Sequence, residues 1–158
     1  MNGWIKMTTS HAVVLTLLIF VMGCSRPSDE AAIRAVVDKA VEAAESKDAG
    51  GFMKLISKDY KDDSGNDYNA VKGILLYQLF RSDNVRVFIR GLDVEIKGDK
   101  AVVNAKAVLT RGADVKGLKD IPPEAASVMM FSVVLRKEDC KWKAVAAKWE
   151  QTGVAGLI

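Results

Sequence analysis

The residues able to carry chemistry are few, and apart from a second cysteine, Cys140, the main candidates lie in two places. The first is Cys24, which follows an apolar run and the small residue Gly23. The second is the stretch 59–68, in which Asp and Tyr side chains alternate with turn residues. A carboxylate and a phenol can move a proton and stabilise an enolate when both lie in an apolar pocket. The sequence therefore offers one modification site and one candidate acid–base site, and each needs a fold to position it.

The residue inventory excludes several chemistries. The only histidine is His11, near the N-terminus, so a mature chain that starts at Cys24 has none and keeps two cysteines, Cys24 and Cys140. Catalysis by a Ser–His or Cys–His pair is excluded, and a structural zinc site needs about four Cys or His ligands. No glycine-rich phosphate loop is present. We predict no metal and no cofactor.

Residues 1–23 have the layout of a secretory signal: Lys6 near the start, an apolar run over 12–22, and a small residue before the cut. The apolar run is shorter than the roughly 20 residues that a membrane-spanning helix requires. We therefore interpret this segment as a leader that is removed.

The segment Val21-Met22-Gly23-Cys24 resembles the lipobox of bacterial lipoproteins. The resemblance implies cleavage before Cys24, acylation of its thiol and export to the cell envelope, with residues 24–28 as an acylated tether. Ser25, where an Asp would favour retention at the inner membrane, implies the periplasmic face of the outer membrane in a Gram-negative host. The alternative is an ordinary signal peptide with Cys24 an incidental thiol.

Two segments carry apolar residues with the 3.6-residue period of an amphipathic helix. The first predicted helix runs from about Asp29 to Lys47, with Ser28 or Asp29 as its cap, and Gly50-Gly51 is predicted to end it. The second runs from Tyr68 to Arg81. Both apolar faces need a partner surface, which the rest of the chain must supply.

From residue 84 onward, apolar residues alternate with period 2, which predicts strands. The alternation changes parity at Arg90-Gly91, where we expect a β-bulge. Gly98-Asp99 and residues 137–140 indicate hairpin turns. Residues 29–158 are therefore predicted to form a single α+β domain, with N-terminal helices packed on a curved antiparallel sheet of about four to five strands.

This order of elements resembles the nuclear transport factor 2-like superfamily, and the alternative is another helix-on-sheet domain, such as a cystatin-like one. The resemblance covers about residues 29–152. It is carried by the first helix ending near Lys47-Asp48, the Leu55-Ile56 turn leading into residues 59–62, the bent strand, and the final hairpin over 131–143. It implies a conical pocket between sheet and helices. It implies no activity, because this fold hosts isomerases, dehydratases and binding proteins alike.

Ketosteroid isomerase-like chemistry would place Asp62 or Asp63 in the cone with a tyrosine. The alternative is a solvated, helix-capping turn, because Ser64, Gly65 and Asn66 follow. The acids between 59 and 67 do not have the spacing of a calcium loop. The candidate ligand-binding residues are Tyr60, Tyr68, Tyr77 and Trp149.

Three residues stand out in the last hairpin. Trp142 and Trp149 are seven apart, which predicts opposite faces of a regular strand, one in the core and the other at a pocket rim or an interface. Cys140 occupies a turn position where glycine is usual. It is a candidate reactive thiol that could link two chains, and the alternative is an inert, part-buried cysteine.

Three functions stay open. The first is a membrane-anchored envelope lipoprotein whose domain binds a small apolar ligand or an envelope protein without catalysis. The second is an Asp/Tyr enzyme of the ketosteroid isomerase-like type, and the third is an assembly role through a sheet face, as in a homodimer. Nucleic acid is not an expected partner, because the 23 basic and 20 acidic side chains are interspersed.

Overall fold

The computed structural model describes residues 28–81, 84–111, 115–122 and 125–152. The leader, Cys24 and all but the last residue of the predicted tether lie outside this range. Helices pack on a four-stranded antiparallel sheet, which confirms the predicted α+β class. In the described residues, no helix combines the length and apolar character needed to cross a bilayer. The elements are α1 (Asp29–Glu45), α2 (Ala49–Met53), α3 (Tyr68–Phe80), β1 (Val85–Lys97), β2 (Lys100–Arg111), a 3₁₀ turn (Leu118–Asp120), β3 (Ala126–Glu138) and β4 (Lys141–Thr152).

Helix α1 begins where its capping residue predicts. The Ser28 hydroxyl accepts a hydrogen bond from the Ala31 N–H at 3.2 Å, which satisfies one of the free donors of the first turn. Ile33, on the predicted apolar stripe, is completely buried. The helix ends at Glu45, two residues earlier than predicted, and Lys47 follows with a φ of +57°. A left-handed residue is a common way to end a helix.

The prediction that Gly50-Gly51 ends the first helix is wrong, because both glycines lie inside α2. Asp48 caps this short helix, and its carboxylate accepts a hydrogen bond from the Gly51 N–H at 2.8 Å. A Cβ at Gly51 would overlap that carboxylate. The glycine therefore makes room for the cap.

The sheet is an antiparallel meander in the order β1-β2-β3-β4. Its register shifts between Ile89 and Gly91, which confirms the predicted bulge. The bulge restores the inward direction for the apolar residues on either side of it, so the strand stays packed while it bends. Lys100 pairs with Arg136, so the β1–β2 and β3–β4 turns lie at the same end of the sheet.

A second bulge, in β4, was not predicted. Ala144 pairs with Leu135 and Ala146 with Val134, so Val145 has no partner residue on β3. The extra residue reverses the side-chain parity of the strand. The prediction that Trp142 and Trp149 point to opposite faces is therefore wrong, and both indoles lie on the face that meets the helices.

The β3–β4 turn places Asp139 at φ +47° and Cys140 at φ +62°. Two successive positive φ angles are typical of a type I′ hairpin. A residue with a Cβ in this conformation carries strain of roughly 1–2 kcal/mol relative to glycine. Cys140 is exposed and its thiol is free. Its reactivity and any dimer through it stay predictions.

The main core joins the helices to one end of the sheet. Because its members all lie between residues 33 and 144, residues 25–158 carry this core whole. They are Ile33, Met53, Ile56, Tyr60, Ala101, Val103, Leu135, Trp142 and Ala144.

Candidate functional site

A cavity of about 650 Å³, called here the cone cavity, opens between the helices and the sheet. Its size lies within the roughly 300–1,000 Å³ of sites that hold one small molecule. Apolar side chains from all three helices and all four strands form most of its wall. They are Val36, Val37, Ala40, Val41 and Ala44; Phe52, Leu55 and Ile56; Val71, Ile74, Leu75 and Leu79; Val85, Val87 and Ile89; Val103, Ala105, Ala107 and Leu109; Met129, Phe131, Val133 and Leu135; and Ala144, Ala147 and Trp149.

The strands create this space by alternating their side chains and by placing small residues at the centre. Ala105 and Ala107 of β2 both face the cavity, and their cross-strand partners on β3 are Phe131 and Met129. Because an alanine side chain ends at Cβ, it leaves open volume beside its larger partner. The middle of the sheet is therefore the floor of a pocket.

Tyr60 forms part of the cavity wall and is almost completely buried. Its hydroxyl donates to Asp62 Oδ2 at 3.2 Å. Burial, followed by the negative charge of Asp62 and this hydrogen bond, raises the pKa of Tyr60 to about 12. Tyr60 is therefore a protonated donor that is already engaged, and it is poorly suited to release a proton near neutral pH.

Asp62 organises the loop behind Tyr60. It is only 7% exposed, so the interpretation of its side chain as solvated is wrong. Burial disfavours its charge, but hydrogen bonds from the Asn66 side chain and backbone, from Tyr60 and from the Ser64 N–H outweigh that cost. They hold the pKa of Asp62 below its ordinary value of 3.8. Its oxygens are occupied, and Asp62 does not line the cone cavity.

We expect Asp62→Asn to lower the free energy of unfolding at pH 7 by at least about 1–3 kcal/mol, because an amide cannot accept all of these donors. A carboxylate whose pKa is lower in the folded than in the unfolded state stabilises the fold at any pH above its unfolded-state pKa. This stabilisation is lost as the pH falls through the folded-state pKa. The difference in free energy of unfolding between wild type and Asp62→Asn, measured in urea, should therefore be large at pH 7 and small at pH 2.

Asp63→Asn is the matched control for this comparison. It removes one neighbouring carboxylate that pairs with Lys148 at the surface, where both side chains are exposed. Such fully exposed pairs contribute little to stability because solvent screens the two charges. An equally large difference at both pH values for Asp62→Asn would contradict the assigned ionisation.

Polar groups gather at one end of the cone cavity. We call this set the rim: Gln78, Arg81, Arg111, Ser127 and Gln151. Arg111 Nη2 donates to Gln78 Oε1 at 3.0 Å, which links the end of β2 to α3. Sequence reasoning missed the rim. The signal was the parity of β2, in which Arg111 ends the cavity-facing series that includes Ala105, Ala107 and Leu109.

Two of the four aromatic candidates for ligand binding lie on the cavity wall, and two lie elsewhere. Tyr60 and Trp149 lie on the cavity wall. Tyr68 packs against the core, with the Lys58 ammonium 3.7 Å from its ring centroid. Tyr77 is 62% exposed and contacts the rim residue Arg81, whose guanidinium lies 5.7 Å from the ring centroid. Neither Tyr68 nor Tyr77 lines the cavity, and ligand binding by any of the four stays a prediction.

Within the described ranges, no carboxylate and no imidazole lines the cone cavity, and no three Asp, Glu, Cys or His side chains converge as metal ligands. Three acids around the Tyr60 loop have protein partners instead. Asp59 pairs with Arg136, Asp63 pairs with Lys148, and Asp67 caps α3.

No family model matches the chain, and no curated protein matches it. Solved structures do. A cystatin-like fold protein of unknown function from Nostoc punctiforme is 12% identical, with a TM-score of 0.64 over 82% of this chain and 96% of its own. A candidate dehydratase of the nuclear transport factor 2-like family from Streptomyces avermitilis is 13% identical, with a TM-score of 0.64 over 77% and 94%.

Bd1075 of Bdellovibrio bacteriovorus is also similar, at 11% identity and a TM-score of 0.63. The match covers 77% of this chain but only 40% of Bd1075. At these identities the likeness shows the fold alone. The chain has the cone-shaped α+β fold of the nuclear transport factor 2-like proteins, as the order of its elements predicts.

Proposed function

We propose that this domain binds a small apolar molecule in the cone cavity without transforming it. The observation that carries the proposal is the cavity itself, about 650 Å³ of space with a mostly apolar wall. A cavity of this size in an apolar wall forfeits the contacts that close packing of the protein's own side chains would supply. A fold that only had to be stable would gain from larger side chains at Ala105 and Ala107.

The wall also favours binding over catalysis. Proton transfer needs a group whose pKa is near the working pH and whose proton or lone pair reaches the substrate. Tyr60, the phenol on the wall, has a raised pKa and a hydroxyl committed to Asp62. The described wall therefore offers shape and apolar contact, and its polar groups gather at the rim.

The second part of the proposal is the location. We infer that the mature chain is exported and held at an envelope membrane by lipid on Cys24, as the lipobox resemblance implies. The domain begins at Asp29, so only the four residues 25–28 separate the modified cysteine from α1. A ligand-binding domain on so short a tether would work close to the membrane surface.

The binding proposal is tested with N-phenyl-1-naphthylamine, an uncharged probe whose fluorescence rises in apolar sites. We expect residues 25–158 to bind it saturably, with one probe per chain. Ala105→Phe places a phenyl ring in the cavity and should weaken binding at least roughly tenfold, because the probe and the ring compete for one space. Fluorescence titration measures the number of probes bound per chain and the affinity of wild type and variant.

Asn104→Phe is the matched control. It adds the same ring to the next residue of β2, which is exposed and points to the opposite face of the sheet. Circular dichroism and thermal unfolding establish that both variants fold. Probe binding that is absent in the wild type, or equal in the two variants, would refute the cone cavity as a binding site.

A further inference from the structure

The rim carries two arginines, and the strand register explains why its residues lie together at one end of the sheet. Arg111 pairs with Val85 at the start of β1, Ser127 pairs with Leu109, and Gln151 pairs with Met129. These positions all lie at the end of the sheet opposite the two hairpin turns. Arg81 at the end of α3 completes the set, so two arginines line the same end of the cone cavity.

The two rim arginines differ in their partners from three of the other four described arginines; the fourth, Arg90, also forms no ion pair with a carboxylate of the described residues. Arg34, Arg86 and Arg136 each form an ion pair with a carboxylate. Arg81 and Arg111 form none with any carboxylate of the described residues. Arg81 contacts the Tyr77 ring and hydroxyl, and Arg111 donates to the neutral Gln78 amide.

This arrangement pre-organises the Arg111 side chain to bind an anion. A guanidinium has five N–H donors in a planar fork that matches a carboxylate or phosphate. One donor of Arg111 is fixed by Gln78, which restricts the side chain while leaving further donors for a ligand. A side chain that is already ordered loses less conformational entropy on binding.

The remainder of the cone cavity is apolar, so a ligand that uses both parts must itself be amphiphilic. The volume of about 650 Å³ is that of a site for one small molecule. An apolar body in the cone would place one end of the molecule at the rim. The positive charge of the rim arginines favours a negatively charged group at that end of the ligand.

We propose that the ligand is a single-chain amphiphile with an anionic head group, such as a long-chain carboxylate, and that Arg111 binds the head group with Arg81 beside it. This inference rests on the proposed function and specifies its ligand class. It assigns Arg111 a role in specificity, because the apolar cone alone would not distinguish an acid from an alcohol.

The test is displacement of N-phenyl-1-naphthylamine from residues 25–158 by dodecanoate and by 1-dodecanol, which share a chain and differ in head charge. We expect the wild type to prefer dodecanoate by roughly tenfold, as a charge-assisted hydrogen bond provides. Arg111→Gln should remove most of that preference and leave dodecanol affinity unchanged. Arg111→Lys, which keeps the charge but not the fork, should retain part of it.

Arg90→Gln is the control of equal charge change. Arg90 is exposed on β1 and does not line the cavity, so its removal should leave both affinities unchanged. Equal displacement by acid and alcohol, displacement by neither, or a preference that survives Arg111→Gln would each overturn the head-group assignment. The probe would still bind in those cases, whereas loss of probe binding itself would refute the proposed function.

Discussion

Trp142→Ala is expected to lower the free energy of unfolding by about 3–5 kcal/mol, the usual cost of removing a large buried aromatic side chain. Trp142 is 4% exposed and packs in the main core with Ile33 and Leu135. Its indole N–H also donates to Asp29 Oδ1 at 3.2 Å. The substitution would both open a void and release the first turn of α1 from β4.

Urea unfolding at pH 7 measures this effect, with Trp149→Ala as the control. Trp149 is the same residue type on the same strand face, but it is 42% exposed at the cavity wall. Trp149→Ala should lower the free energy of unfolding clearly less than Trp142→Ala does. Trp142→Phe retains most of the packing and loses the indole donor, so it should lie between the wild type and Trp142→Ala. Equal losses from the two alanine variants would show that the core does not depend on Trp142 as described.

Loss of the Cys24 thiol is expected to release the protein from the membrane almost completely. Each buried methylene of an acyl chain contributes about 0.8 kcal/mol, so two or three chains hold a protein stably while a chain-free protein has no such anchor. Because an uncleaved leader could itself retain the chain, the Cys24→Ser variant should carry the leader of an ordinary secreted protein, cleaved before residue 24. Membrane fractionation and the mass of the N-terminal peptide measure location and acylation.

Cys140→Ser with the native leader is the companion variant, since it removes the other cysteine of the mature chain. It should stay in the membrane fraction and keep its acyl mass. A Cys24→Ser protein that still sediments with membranes after a high-salt wash would contradict the anchor. An unmodified Cys24 in the native protein would contradict it directly.

Periodic patterns predicted the fold well because they are local. The stripe of α1 and the parity change at Arg90-Gly91 each depend on neighbouring residues, and the structure contains both. The bulge at Val145 was missed for a physical reason. Residues 144–147 are all apolar and small or β-branched, so either parity buries them equally and the sequence carries no mark of the shift.

The site was harder to predict than the fold. Arg111 ends a strand, where a charged residue usually meets solvent, and only the assembled register places it beside Gln78. Asp62 has the neighbours of a solvated turn, yet Tyr60 and Asn66 enclose it. The first outcome depends on a contact between segments distant in sequence and the second on the way a loop closes, and a pattern of residue types encodes neither.

The contacts of Asp29 determine the orientation of a chain anchored at Cys24. Asp29 binds Lys137 and Trp142 beside the β3–β4 turn, while Ser127 marks the rim at the other end of β3, roughly 30 Å away along the strand. A five-residue tether reaches at most roughly 17 Å. The rim would therefore lie at the end of the domain farther from the anchor than the tether can reach, so with the domain upright on its tether the cargo would arrive from the aqueous compartment or from a facing partner.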